Sequence, residues 1–162
     1  MNCLKLPGQH QWNSGAGDQI PFDDILDDIL DHTSEGGKVY IGSDSQLSGN
    51  GCTFVTAICL HGGNKKTSRY YFKKEARFKY DRKNLRQRIN DEVSNALNVF
   101  LYLNEKIPEI DVEIHIDIGK TDRSRTRGFV DTVTGWVRGV GATCKIKPEA
   151  WASASVADRH TK

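Results

Sequence analysis

Cysteine, proline and long apolar runs are all scarce in this chain of 162 residues. Its four cysteines, Cys3, Cys52, Cys59 and Cys144, form no C-x-x-C pair, and three of them lie in runs typical of strands. This spacing favours free buried thiols over a zinc site or a disulfide framework. The small number of prolines, four, argues against a large disordered fraction. No apolar run reaches the length of a secretory core or a membrane span, so we expect a cytoplasmic protein without membrane contact.

The charges of the chain are segregated, although its composition is that of an ordinary globular domain, with 37% hydrophobic and 27% charged residues. The segment from Asp18 to Glu35 contains seven acidic residues and no Lys or Arg. From Asn64 to Arg88 there are eleven basic residues and two acidic ones, a local balance of +9. The net charge of +2 conceals this basic stretch, which is typical of a region that meets anions.

The chain is predicted to form one globular domain with a distinct N-terminal part. Residues 1–17 lack periodicity and indicate an irregular arm, and a short acidic amphipathic helix follows within residues 1–37. Aspartates line one face of this helix and apolar residues the other, so we interpret the aspartates as a solvated face and not as a metal cluster. Residues 38–162 make up the main α/β domain.

Hydrophobic periodicity then predicts three strands, a long helix, a strand, a helix, a strand and a last short helix. Their ranges are 39–44, 52–61, 68–75, 81–104, 112–118, 124–139, 142–147 and 149–160. The turn residues between the first three strands favour an antiparallel meander. The order β-β-β-α-β-α-β-α predicts a five-stranded mixed sheet of order 3-2-1-4-5, with strand 2 antiparallel and helices on both faces.

Two aspartates, Asp44 and Asp117, end the first and fourth predicted strands. Small residues lie beside both of them, which leaves room around each carboxylate. Each aspartate alone is most simply interpreted as a turn or helix cap. However, the first and fourth strands are predicted to be parallel neighbours at the point where the strand order reverses, and ligands bind at the carboxyl ends of strands there. We therefore expect the two carboxylates to converge.

Two further carboxylates are candidates for the same site. At 100° per residue, Glu92 falls at the edge of the apolar stripe of the long helix, and Glu is seldom directed toward a core unless it is paired or metal-bound. The alternatives are that Glu92 reaches out to water, or that a one-residue error in register exchanges it with Asp91. Asp158 follows small residues that allow the last helix to lie close to the sheet. The alternative for Asp158 is a salt bridge with Arg159 or a neighbouring lysine.

Three or four converging carboxylates repel one another unless a cation neutralises them. Hard oxygen ligands of such high negative charge select Mg²⁺ or Mn²⁺ over softer metals. Two such ions can activate a water molecule and stabilise the leaving oxygen of a phosphodiester. The carboxylates therefore predict a site that cuts nucleic acid.

The ordered set of four carboxylates resembles the ribonuclease H-like superfamily. Four segments are similar to its YkuK-like branch: residues 40–46, 115–119, 135–141, and 147–148 with 152–159. This resemblance covers residue 38 to the C-terminus, and it implies a two-metal phosphodiesterase site carried by Asp44, Glu92, Asp117 and Asp158. Proofreading exonucleases of the superfamily carry D-x-E in the first strand, and the sequence Asp44-Ser45-Gln46 disfavours that class.

The basic stretch interleaves cations with aromatic residues, some of which must belong to the core, and aromatic rings can stack on unpaired bases. Eight residues are candidates for nucleic-acid contacts: Lys65, Lys66, Arg69, Lys73, Lys74, Lys120, Arg123 and Arg125. The resulting hypothesis is a metal-dependent endonuclease acting on RNA, an RNA/DNA hybrid or branched DNA. The alternatives are a non-catalytic nucleic-acid-binding module of the same fold, and an assembly or scaffold protein in which the acidic helix and the basic stretch dock between subunits.

Overall fold

A seven-stranded mixed sheet forms the centre of the protein in the computed structural model, which describes residues 6–63, 68–119 and 125–161. The order of the strands is β2-β1-β5-β4-β3-β6-β7. Their bounds are β1 Trp12–Ser14, β2 Gln19–Ile20, β3 Lys38–Ser48, β4 Gly51–His61, β5 Arg69–Arg77, β6 Val112–Ile116 and β7 Thr143–Lys145.

The predicted topology is confirmed for the five main strands, but the predicted number of strands is wrong. The order β5-β4-β3-β6-β7 is the predicted 3-2-1-4-5, with β4 antiparallel to both neighbours and β6 parallel to β3. The two extra strands, β1 and β2, come from the segment around 1–17 that was predicted to be irregular. Strands of three and two residues are too short to show an alternating pattern. Trp12 of β1 is nevertheless buried in the core, and its Nε1 donates a hydrogen bond to the Pro7 carbonyl at 2.8 Å.

In the ranges that the structure describes, three α-helices pack against one face of the sheet, and a helical C-terminal segment packs against the other. The helices are α1 Phe22–Ser34, α2 Leu85–Lys106 and α3 Val130–Gly139. The C-terminal segment consists of a π-helix, Ala152–Ala157, and a 3₁₀-helix, Asp158–His160. Two further 3₁₀-helices lie at Pro7–Gln9 and Arg127–Phe129. Within the described part of the chain, no helix is long and apolar enough to cross a membrane.

Helix α2 is the longest helix of the fold, and it begins four residues later than its apolar period predicts. The side chain of Asn84 accepts a hydrogen bond from the backbone N–H of Gln87 at 3.0 Å, which satisfies a free donor at the helix start. Its buried stripe includes Ile89, Val93 and Phe100. Packing of this stripe on the sheet fixes the rotation of the helix and therefore the direction in which its carboxylates point.

The C-terminal segment lies directly against β3 because Gly42 has no side chain. A Cβ atom at this position would lie 2.2 Å from the carbonyl carbon of Ala152 and 2.4 Å from the backbone nitrogen of Ser153. Both contacts are with backbone atoms, which cannot move aside as the end of a flexible side chain can. Gly42 therefore sets the distance between the sheet and the segment that carries Asp158.

We expect Gly42→Ala to lower the free energy of unfolding by roughly 2–4 kcal/mol, because overpacking a rigid backbone contact forces the segment off the sheet. Gly128→Ala is the matched control, since no atom lies within 4 Å of a Cβ built at Gly128. Urea unfolding of both variants measures the difference. Equal stability of the two variants would contradict the close packing at Gly42.

Candidate active site

Asp44 and Asp117 lie side by side where the parallel pairing of β3 with β6 ends, although Asp44 does not end its strand as predicted. The last pair in the register of β3 and β6 is Ser43 with Ile116, so each aspartate follows directly after it. Strand β3 continues to Ser48 along β4, whereas β6 ends at Ile116. Among the described residues, β3 beyond Ser43 therefore has no partner strand on its β6 side. Side chains from both faces of the sheet can meet at this edge, beside Asp44.

Asp158 reaches this edge from the C-terminal segment, and its carboxyl group forms a side-chain hydrogen bond with that of Asp44. Contacts on both sides of Asp158 hold it in place. At the start of the segment, the backbone N–H of Ala152 donates to His115 Nδ1 at 3.0 Å. At its end, the His160 ring stacks on Phe72 with centroids 3.8 Å apart, and His160 Nε2 lies 2.8 Å from the Tyr70 hydroxyl.

The contacts of His115 define its protonation. Because Nδ1 accepts the hydrogen bond from Ala152, Nε2 carries the hydrogen and donates to Glu113 Oε1 at 2.8 Å. Burial lowers the pKa of His115, which is consistent with a neutral ring. Glu113 also accepts from Lys38 Nζ at 3.0 Å. His115 thus supports the C-terminal segment through its contact with Ala152.

Glu92 points from helix α2 toward the same edge and is 8% exposed. Its carboxylate accepts a hydrogen bond from the Ser45 hydroxyl, and Ser45 is the residue next to Asp44 in β3. Asp91 points elsewhere: it accepts a hydrogen bond from the Tyr80 hydroxyl and forms an ion pair with Arg77 at 3.2 Å. Of the two neighbouring acids, Glu92 is therefore the one that faces Asp44.

Burial and mutual repulsion make Asp44 and Glu92 unusually weak acids. Burial, the hydrogen bond to Asp158 and the charge of Asp117 raise the pKa of Asp44 to about 7. Burial, with further contributions from Asp44 and Asp117, raises the pKa of Glu92 to about 8, although Ser45 and Arg88 act in the opposite direction. Buried carboxylates that repel one another are stabilised by any cation placed between them.

Each of the four carboxylates has a partner within the protein. Asp44 pairs with Asp158, Glu92 accepts from Ser45, and Asp117 Oδ1 lies 3.1 Å from Lys147 Nζ. Among the described residues, no three or more His, Cys, Asp or Glu side chains are grouped closely enough to hold an ion. The buried Asp117 Oδ1 nevertheless lacks a hydrogen-bond donor in suitable alignment. Carboxylate oxygens are therefore present of the kind that a hard divalent cation requires. A cation would bind only after these carboxylates separate from the partners described above.

Three residues next to these carboxylates were not singled out as site residues in the sequence. Ser45 is adjacent to Asp44 in the chain, so a polar residue at that position was the available signal. Arg88 lies one helical turn before Glu92, at the i, i+4 spacing of a helical ion pair. Lys147 reaches Asp117 because its backbone N–H donates to the Ile118 carbonyl at 2.9 Å, a contact between distant segments that sequence spacing does not reveal.

The predicted nucleic-acid-binding residues fall in several environments. Lys65, Lys66, Lys120 and Arg123 lie outside the described residues. Lys74 and Arg125 are exposed. Arg69 donates two hydrogen bonds to Asp28, at 2.7 and 2.6 Å, so part of the basic stretch binds the acidic helix α1 of its own chain. Lys73 is only 6% exposed, which places its ammonium group away from a surface that a phosphate could reach.

Comparison with known proteins assigns the chain to a family. A model of the family described as ribonuclease H-like matches residues 21–162, and the chain belongs to this family. The chain is also 24% identical to a Bacillus subtilis (strain 168) protein named "Uncharacterized protein YkuK", over 89% of this chain and 92% of that protein. The resemblance to the ribonuclease H-like superfamily and its YkuK-like branch is thereby confirmed. No solved structure matches the chain at a significant level.

Proposed function

We propose that this protein is a metal-dependent nuclease that hydrolyses phosphodiester bonds at the edge of β3. The observation that carries the proposal is the convergence of Asp44, Glu92, Asp117 and Asp158, whose charges act on one another at the ends of two parallel strands. Like charges of which two, Asp44 and Glu92, are buried destabilise the fold unless they bind a cation. Membership of the ribonuclease H-like family supports a function on nucleic acid.

The four carboxylates would hold Mg²⁺ or Mn²⁺, which when bound supplies an activated water molecule and stabilises the leaving oxygen. Asp44 and Asp117, which follow the last paired residues of β3 and β6, would hold the same cations. Glu92 and Asp158 approach from opposite faces of the sheet and complete the set. The Ser45 hydroxyl orients Glu92 by its hydrogen bond, a supporting role that groups around metal ligands commonly have.

The substrates that we propose are RNA, an RNA/DNA hybrid or a branched nucleic acid. The basic residues Lys74 and Arg125 are exposed and free to contact phosphates within the described structure. A non-catalytic nucleic-acid-binding module is the second candidate, and the ion pair of Asp117 with Lys147 favours it, because this lysine already neutralises one of the four charges.

The test is cleavage of a panel of labelled RNA, hybrid and junction substrates in Mn²⁺, with Asp44→Asn as the variant. We expect the wild-type protein to cleave at least one substrate and Asp44→Asn to cleave none at a detectable rate. Asp131→Asn is the matched control, since Asp131 is an exposed aspartate in the first turn of α3. It should cleave like the wild type.

Three outcomes would overturn the proposal in different ways. Binding without cleavage in Mg²⁺ and Mn²⁺ would favour the binding module. Cleavage that survives Asp44→Asn would place the activity elsewhere in the chain or in a contaminant. An affinity for nucleic acid that hardly changes between 50 and 200 mM salt would exclude phosphate contacts, since each such contact adds to the salt dependence.

A further inference from the structure

The loop between β5 and α2 contains an aromatic side chain with no place in the core. Phe78 is 82% exposed, more than any other large hydrophobic residue of the described chain. Exposure of a whole phenylalanine ring leaves a large apolar area in water. The loop therefore holds an aromatic group that is available to a ligand.

The other aromatic residues of the basic stretch are engaged within the protein. The hydroxyl of Tyr71 donates to Asp28, and that of Tyr80 donates to Asp91. Tyr70 contacts the His160 ring nitrogen, and Phe72 is 8% exposed and stacks on the same ring. Of the aromatic residues that the sequence associates with this stretch, Phe78 is the one that remains for stacking on a base.

The position of Phe78 follows from the strand register. Strands β3 and β5 run in the same direction on either side of β4. In the register, Cys52 of β4 pairs with Leu47 of β3 on one side and with Arg77 of β5 on the other. Phe78 therefore leaves the sheet at the end toward which β3 runs, two strands away from Asp44. In this register it lies four residues beyond Asp44, so strand spacings of about 4.8 Å and a rise of about 3.3 Å per residue place it roughly 16 Å from Asp44. This separation is short enough for one nucleic-acid strand to contact both.

The loop is held in a defined conformation. Lys79 has a φ of 56°, in the left-handed region that residues with side chains seldom adopt. After this turn the backbone N–H of Tyr80 donates to the Asn50 carbonyl at 2.7 Å, and Arg82 donates to the Gly49 carbonyl. These contacts fix the loop to the β3–β4 hairpin. Phe78 thus projects from an ordered support, which lowers the entropic cost of binding.

Positive charge extends from this loop toward the carboxylates. Lys79, Lys83 and Arg86 are exposed. The guanidinium of Arg86 lies over the Phe129 ring, 5.5 Å from its centroid, and Phe129 closely follows the exposed residues Arg125 and Arg127 in the chain. Arg88 is close enough to Glu92 for its charge to act on that carboxyl group. A strand that stacks on Phe78 would therefore meet cations along its path to Asp44.

We propose that Phe78, together with Lys79 and Lys83, binds a single-stranded segment of the substrate by stacking on an unpaired base. This inference rests on the proposed function and makes it more specific, because it selects single strands, overhangs and branched structures over continuous duplex. In a duplex the faces of the bases are occupied by their neighbours, so an exposed ring has no face to stack on. In a single strand every base offers one.

The experiment measures binding of the full chain in EDTA by fluorescence anisotropy, with a labelled single-stranded RNA of twelve uridines and a twelve-base-pair duplex. We expect Phe78→Ala to weaken single-strand binding by at least about tenfold, as loss of a stacked base does, and duplex binding by less than about twofold. Phe78→Trp should retain the wild-type affinity and Phe78→Leu should not, because leucine keeps apolar area without a stacking face.

Lysine variants provide a second, independent arm. Lys83→Gln should weaken binding and reduce its salt dependence. Lys106→Gln, at the opposite end of α2, should do neither. Wild-type affinity in Phe78→Ala, or equal losses for single strand and duplex, would overturn the proposal. A fall in sedimentation mass on Phe78→Ala would show instead that the loop joins two copies of the chain, and would also overturn it.

The two proposals fail separately. If the wild type binds single strands through Phe78 but cleaves nothing in Mn²⁺, the nuclease proposal fails and the stacking proposal stands. If the wild type cleaves a substrate and Phe78→Ala binds single strands like the wild type, the stacking proposal fails and the nuclease proposal stands.

Discussion

Glu92→Gln is expected to reduce metal-dependent cleavage by at least about a hundredfold, whereas Asp91→Asn should leave it within about threefold. Loss of a group that merely supports a metal ligand costs about ten- to hundredfold, and loss of a ligand charge should cost more. Glutamine keeps the size of the side chain and can still accept the hydrogen bond from Ser45. The change therefore removes a negative charge with little disturbance of packing.

The comparison of these two variants also settles which acid of helix α2 serves the site. Asp91 is the matched control because it lies one residue away and is bound to Tyr80 and Arg77 on another side of the helix. Initial rates in saturating Mn²⁺, with circular dichroism as a check on folding, give the result. A larger loss in Asp91→Asn than in Glu92→Gln would mean that Asp91 is the ligand.

The second large effect is on stability without metal. A carboxyl group whose pKa is higher in the folded chain than in the unfolded chain binds its proton more tightly when folded. Its effect on the free energy of unfolding is therefore absent at pH below about 4 and becomes unfavourable as the pH rises toward the folded value. For Asp44 and Glu92 the usual values are 3.8 and 4.5, and the folded values are about 7 and about 8. Stability should fall between about pH 4 and about pH 8.

Removal of these charges should restore stability at high pH. In EDTA at pH 8.5, we expect Asp44→Asn and Glu92→Gln each to raise the free energy of unfolding by about 1–3 kcal/mol over the wild type. At pH 5 the same variants should gain less, because the carboxyl groups of the folded wild type are still protonated there and only the first part of the fall in stability has occurred. Mg²⁺ or Mn²⁺ should stabilise the wild type at pH 8.5 and so reduce the difference in free energy of unfolding between the wild type and the two variants. Urea unfolding at the two pH values measures the effect, and equal gains at pH 5 and pH 8.5 would contradict the clustering of charges.

Sequence patterns were sufficient for the main topology because its strands and helices are long. Strands β3 and β4 span eleven residues each, and α2 spans twenty-two, so their periods are unambiguous. The short elements were not predictable in this way. Strands β1 and β2 form because β5 offers a free edge for pairing, and that edge exists only once the sheet has folded.

The site was predictable to the extent that strand ends and one helix face determine it. The positions of Asp44 and Asp117 follow from the crossover between parallel strands, and that of Glu92 from the rotation of α2. Whether a basic or aromatic residue is free could not be read from the sequence, because it depends on tertiary partners. Lys73 is buried and Arg69 is bound to Asp28, whereas Phe78 is exposed.

Direct measurement of Mn²⁺ binding tests the central claim, that the carboxylates at the edge of β3 form a metal site. Electron paramagnetic resonance at pH 8 counts the free Mn²⁺ during a titration and needs no substrate. The wild type should bind about one or two ions per chain, Asp131→Asn should do the same, and an Asp44→Asn/Asp117→Asn double variant should bind none. A wild type that binds no Mn²⁺, or a double variant that binds as many ions as the wild type, would contradict the claim.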